Sequence, residues 1–65
     1  MILLPREMEI AAWVAQGCAN KQIAETLGIS QKTVASHIYH IYRKLKINNR
    51  VQLTNWFLSV DNRKI

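Results

Sequence analysis

Asn20-Lys21-Gln22-Ile23-Ala24-Glu25-Thr26-Leu27-Gly28-Ile29-Ser30-Gln31-Lys32-Thr33-Val34-Ala35-Ser36-His37-Ile38-Tyr39-His40-Ile41-Tyr42-Arg43-Lys44-Leu45 reads as two amphipathic helices joined by a glycine turn. In the second of them Val34, Ile38, Ile41 and Leu45 recur at spacings of four, three and four, which is the stripe a buried helix face requires. Ser30 stands just ahead of it as an N-cap. At about 100° per residue the opposite side carries Lys32, Ser36, Tyr39 and Arg43, with Ala35 and His40 at its flanks. The shorter first helix opens near Ala19 or Asn20, with Asn20 as a plausible cap. Its apolar face is Ile23, Ala24 and Leu27, and Gly28 closes it.

A helix, a tight turn around Gly28-Ile29 and a second helix with one apolar face make a helix-turn-helix arrangement. The first helix braces the second, whose outer side is then a rigid probe for the major groove of DNA. Lys32 and Arg43 suit phosphates, while Ser36, Tyr39 and His40 suit base edges or backbone.

Further helices flank this pair. Pro5 sits at a first helical position and Glu7 follows in the first turn, where the helix dipole favours an acid. Ile10, Ala11 and Val14 are apolar at helical spacing and Gly17 is a stop, so the first helix spans about Pro5 to Gln16. A fourth helix is predicted from about Asn49 to Ser59 or slightly beyond, with Asn49 and Gln52 close to a capping box. Leu53, Trp56, Phe57 and Val60 form one side of it. Val51 and Leu58 lie nearly opposite, with Thr54 and Asn55 close by, and such an apolar strip needs cover. The tail from Asp61 to Ile65 has no periodicity and is expected to fray. The fold class is therefore all-α, four helices in one domain over residues 1–65, ordered from about 3 to 60.

Composition narrows the function. The net charge is +5. Between Ala19 and Arg50 stand Lys21, Lys32, Arg43, Lys44, Lys46 and Arg50 against the single acid Glu25, so the excess is concentrated there. A basic centre on a small domain points to a polyanion such as nucleic acid, against a merely solvated surface as the plainer reading. No stretch approaches the roughly 20 apolar residues of a membrane helix, and the apolar start from Ile2 to Leu4, broken by Pro5, is too short for a signal peptide. Cys18 is the one cysteine, so no internal disulfide forms, and a small part-buried side chain in a loop is its expected role. A reducing cytoplasm is the natural compartment.

Enzymatic chemistry has no support. His37 and His40 lie three apart with no Cys, Asp or Glu nearby to complete a metal site or an acid-base pair, so no cofactor or metal is expected. Both are expected as phosphate or packing contacts. Trp13 and Trp56 sit among apolar residues at helical spacing and are expected in the core or an interface rather than as stacking platforms.

The residues also resemble a known family. Leu3-x-Pro5-Arg6-Glu7-x-Glu9-Ile10, Gly17-x-x-Asn20-Lys21-x-Ile23-Ala24-x-x-Leu27-x-Ile29-Ser30 and Thr33-Val34-x-x-His37-x-x-x-Ile41-x-x-Lys44-Leu45 are similar to the LuxR-type (GerE-like) helix-turn-helix domains of bacterial transcription regulators. His37-Ile38-Tyr39, Asn49-Arg50-x-Gln52 and Trp56 resemble the branch of curli and biofilm-matrix regulators. The resemblance implies that Asn20, Lys21, Thr33 and Lys44 touch the DNA backbone, and that Ala35, Ser36 and Tyr39 face bases. It implies a structural ion pair between Glu7 and Arg50, and pairing of two copies through the fourth helix, where Val51, Thr54, Asn55 and Leu58 lie. The implied function is sequence-specific binding of duplex DNA at an inverted repeat, with RNA polymerase as a further partner and a regulatory domain supplying the switch. The alternative is an interaction module that heterodimerises with another regulator without reading DNA.

Four positions depart from the family pattern. Leu4 replaces a Thr or Ser cap, at a cost of roughly 1 kcal/mol to the first helix. Ala19 replaces a frequent Ser, leaving Asn20 or solvent to compensate. Ala35 stands where Lys is common and offers a base only an apolar contact, for example to a thymine methyl. Lys46 stands where Gly often follows the third helix.

Overall fold

The computed structural model describes residues 3–62, and side chains through Val60. It is built of four helices: α1 Pro5–Ala15, α2 Asn20–Leu27, α3 Gln31–Leu45 and α4 Arg50–Asn62. Among the described residues there is no strand. α1 packs on α3 and α4, and α2 packs on α3. The apolar stripes anticipated from spacing meet at the centre: Ile10, Ala11 and Val14 of α1, Ile23 and Ala24 of α2, Val34, Ile38 and Ile41 of α3, and Leu53 of α4. Leu3, just ahead of α1, completes this core. Each fully buried aliphatic side chain contributes roughly 1.5–3 kcal/mol. A domain of this size holds only about 3–5 kcal/mol in total, so losing one such side chain threatens the fold.

Trp13 and Trp56 pack half-buried against the rim of this core, as does Cys18. α4 divides as its sequence suggests. Leu53 is buried and Trp56, Phe57 and Val60 are half-buried, while Val51 and Leu58 are 69% and 47% exposed. The helix continues to Asn62, one turn past the span its apolar pattern marks. The rest of the tail expected to fray, residues 63–65, lies outside the described residues, as does Ile2.

Helix entries follow local chemistry, with two adjustments. Ser30 Oγ accepts the Thr33 N–H at 3.0 Å, and Asn49 Oδ1 accepts the Gln52 N–H at 2.9 Å. Gln52 does not return to Asn49; its Oε1 accepts the N–H of Asn48 instead. Asn20 is not the cap of α2. Ala19 occupies the extended capping position, and Asn20 is already the first helical residue. Neither Ala19 nor Leu4 has a side-chain acceptor, but each keeps the reciprocal half of a capping box. Gln22 Oε1 accepts from Ala19 N–H and Glu7 Oε1 from Leu4 N–H, both at 2.9 Å.

The first three helices leave by one geometry. Cys18 N–H donates to the Trp13 carbonyl, Ile29 N–H to that of Ala24 and Ile47 N–H to that of Tyr42, each closing a six-residue loop. The residue before each donor is left-handed: Gly17 at φ 88°, Gly28 at φ 70° and Lys46 at φ 58°. The apolar residue after it then folds back onto the core. At Gly28-Ile29 this sets the sharp turn between α2 and α3.

Candidate DNA interface

α3 presents the surface of interest. With Val34, Ile38 and Ile41 held at the core, Lys32, Ala35, Ser36, Tyr39, His40 and Arg43 all come out exposed on its outer side. α3 contains no acidic residue. All three residues expected to face bases, Ala35, Ser36 and Tyr39, are on this surface. Tyr39 and Arg43 are joined one turn apart. Arg43 Nη1 donates to the Tyr39 hydroxyl at 3.2 Å, and the guanidinium carbon lies 5.7 Å from the ring centroid. The His40 ring is tilted beside Tyr39 at 5.9 Å. This holds a flexible cation against a stiff aromatic.

The residues expected at the DNA backbone fall into two groups. Lys21, Lys32, His40 and Arg43 are exposed, and Thr33 is exposed with its hydroxyl 2.9 Å from that of Ser30. Asn20 and His37 sit deeper, and Lys44 is exposed but tied to the protein. Asn20 and His37 are half-buried. Lys44, with its side chain 36% exposed, places Nζ 2.7 Å from Glu7 Oε1.

That contact corrects an expectation. Glu7 and Arg50 do not pair with each other. Glu7, 4% exposed beneath α3, is closed off by Lys44 from the last turn of that helix and by the Leu4 N–H. Arg50 opens α4 and has other partners. Its Nη1 donates to Asn20 Oδ1 at 2.9 Å and its Nη2 to the Cys18 carbonyl at 2.6 Å. Both charges are structural, but each grips a different element. The alternatives were invisible to spacing, because Lys44 and Asn20 carry polar side chains that a groove-facing role also explains.

Burial alone would push the Glu7 carboxyl up. The Lys44 and Leu4 hydrogen bonds, with the positive charge of Lys44 and of His37, more than offset that and hold it below its ordinary value. Burial pushes the Tyr42 phenol up, with the Arg50 charge opposing. Among the described residues no group of His, Cys, Asp or Glu is arranged to hold a metal ion, and no helix is long and apolar enough to cross a membrane.

A short helix bracing a longer one, whose free side is cationic and aromatic and lacks acids, defines a helix-turn-helix DNA-binding domain. Comparison with known proteins agrees. The family model GerE, bacterial regulatory proteins of the luxR family, matches residues 1–57, and the chain belongs to that family. It is 46% identical over 57 residues to the nitrate/nitrite response regulator protein NarP of Escherichia coli K12, covering 88% of this chain and 26% of that one. NarL of the same organism is 43% identical over 54 residues, covering 83% and 25%. The CsgBAC operon transcriptional regulatory protein of that strain is 38% identical over 55 residues, covering 85% and 26%. The chain thus spans about a quarter of these relatives. They are transcription regulators and not enzymes, and the role they support here is DNA binding in transcription regulation. The CsgBAC operon regulator is the least similar of the three, below both nitrate/nitrite response regulators.

Proposed function

We propose that residues 1–65 act as one sequence-reading DNA-binding domain, with α3 in the major groove and two copies paired through α4. One observation carries this: the acid-free outer face of α3, with Lys32, Ala35, Ser36, Tyr39, His40 and Arg43 exposed together. Ala35, Ser36 and Tyr39 read base edges, Ala35 by apolar contact alone. Asn20, Lys21, Lys32, Thr33, His37, His40, Arg43 and Lys44 attach to the sugar-phosphate backbone at the two ends of the motif and fix the register. Ala19 supplies no side-chain oxygen to the start of α2, and its positive end beside Lys21 suits a phosphate.

The exposed strip of Val51 and Leu58, flanked by Asn55 and half-buried Thr54, supports pairing of α4 with its counterpart. A two-fold dimer puts two recognition helices about 34–36 Å apart, one DNA turn, and reads an inverted repeat. A strip of two side chains buries little area, so the dimer of this chain alone is weak. The cytoplasm, where DNA and transcription machinery meet, is the matching compartment.

Selection from a random duplex pool at about 150 mM salt, which suppresses non-specific phosphate attraction, tests the proposal. Enrichment of an inverted repeat is the expected result. Retention without an enriched motif would mean that α3 holds backbone only. A chain that heterodimerises with another regulator without reading DNA would then be the better reading, since the same α4 strip serves it equally.

A further inference from the structure

Arg50 is the first residue of α4, yet its side chain is committed to the beginning of α2. Nη1 reaches Asn20 Oδ1 and Nη2 reaches the Cys18 carbonyl, so one planar group ties down both the amide and the loop leading to it. A guanidinium has donors only. The Asn20 amide must therefore offer Arg50 its oxygen and turn its NH2 group away. Without Arg50 the amide could rotate freely and present either end. With it, two N–H donors are left in a fixed direction at the positive end of α2, beside exposed Lys21. Arg50 itself is half-buried, and each of its terminal nitrogens gives one N–H to the protein.

We propose that Arg50 is a positioning residue for DNA binding: it orients the Asn20 amide so that its N–H groups meet a phosphate, while Arg50 touches no phosphate. The proposal rests on the reading of Asn20 as a backbone contact. It also makes the first turn of α4, the pairing helix, a support for the opposite end of the DNA-binding motif.

Affinity for a mixed-sequence duplex, measured across about 50–200 mM salt, separates the possibilities. The proteins are the chain itself, Asn20→Ala, Arg50→Met, the double variant and Arg50→Lys, each checked for folding by thermal unfolding. Asn20→Ala and Arg50→Met are each expected to weaken binding about tenfold, the scale of one hydrogen bond to a charged group, and the double variant no further. The dependence on salt should stay as it was, because the lost contact is neutral on the protein side. Arg50→Lys keeps the charge but not the fork, and should lie between. It also carries the test should Arg50→Met fail to fold, and wild-type affinity in Arg50→Lys would then overturn the proposal. A salt slope lower by about 0.9 in Arg50→Met would make Arg50 itself the phosphate contact and overturn it. Effects that multiply in the double variant would do so too, as would an effect of Asn20→Ala with none of Arg50→Met. If Asn20→Ala binds as tightly as the original chain, the backbone role of Asn20 falls, and the proposal with it.

Discussion

Glu7 and Lys44 stand 37 residues apart in the chain and meet at 2.7 Å, the buried carboxylate of the first turn of α1 accepting from the ammonium at the end of α3. The contact makes α3 part of the scaffold at one end while its outer face stays free. It also engages a lysine proposed to meet a phosphate. An ammonium has three N–H groups, so one bond to Glu7 leaves two for the outside.

Stability should carry the signature of this pair. Because the folded carboxyl titrates below its ordinary 4.5, Glu7 stabilises the fold above that value, and the contribution is lost as pH falls through the lower folded value. Glu7→Gln keeps an oxygen for the Leu4 N–H but loses the charge. The variant should be less stable by about 1–3 kcal/mol at neutral pH. Lys44 regains water on release, which keeps the loss below that of a fully buried pair. Urea unfolding at a series of pH values checks this. The gap between the two proteins should close as acid is added, and a constant gap would mean that the charge is irrelevant.

Lys46 offers a gain. It is the only non-glycine residue with positive φ among those described, and it occupies the position that Gly17 and Gly28 fill at the other two exits. The left-handed conformation costs an L-residue about 1–2 kcal/mol, offset in part by the greater freedom glycine has when unfolded. Lys46→Gly should therefore stabilise the chain by about 0.5–1 kcal/mol, a rise of several degrees in Tm at about 4–8 °C per kcal/mol. An unchanged or lower Tm would show that the Lys46 side chain stabilises the α3–α4 turn more than its backbone strains it.

These two sites also show how far the sequence could be read. The four helices, their inner faces and the glycine exits were legible because spacing and backbone sterics are local matters. Lys46 was marked by its departure from glycine, and the structure shows the strain that departure implies. The partners of Glu7 and Arg50 were not legible. Pairing of these two residues with each other is implied only by the family resemblance, whereas the packing of α1 on α3 brings Lys44 to the acid, and Arg50 finds a carbonyl and an amide. Leu3 was also missed as core, since a single apolar residue ahead of a helix has no periodicity to betray it. The exposed residues of α3 were placed correctly on its outer face, because one apolar stripe determines its opposite.

On that face, charge and reading should separate by experiment. Arg43→Ala should weaken binding to every duplex and lower the salt slope by about 0.9. Lys44→Ala should act in the same direction. Tyr39→Ala or Ser36→Ala should instead relax sequence preference by about 1–3 kcal/mol at single base positions. Tyr39→Phe is the finer probe, because it keeps the ring under Arg43 but removes the hydroxyl that the guanidinium bonds. Competition between the selected site and single-base variants of it measures each effect. If neither Tyr39→Ala nor Ser36→Ala changes selectivity, bases are not read from this side of α3.

The α4 strip calls for a test of assembly that spares the fold. Leu58 is 47% exposed and Val51 69%, so neither holds the core, which on this helix belongs to Leu53. Leu58→Glu should leave helical content and Tm nearly unchanged, since surface substitutions usually fall within about 0.5 kcal/mol. In a symmetric pair the same change places two carboxylates face to face, where like charges and lost apolar area oppose association together. Sedimentation over a range of concentrations should show the original chain associating weakly and Leu58→Glu remaining monomeric. On an inverted repeat the variant should bind each half-site independently, with the cooperative step gone. Unfolding of Leu58→Glu would assign this side chain to the core, and undiminished dimers would move the pairing surface off α4 altogether.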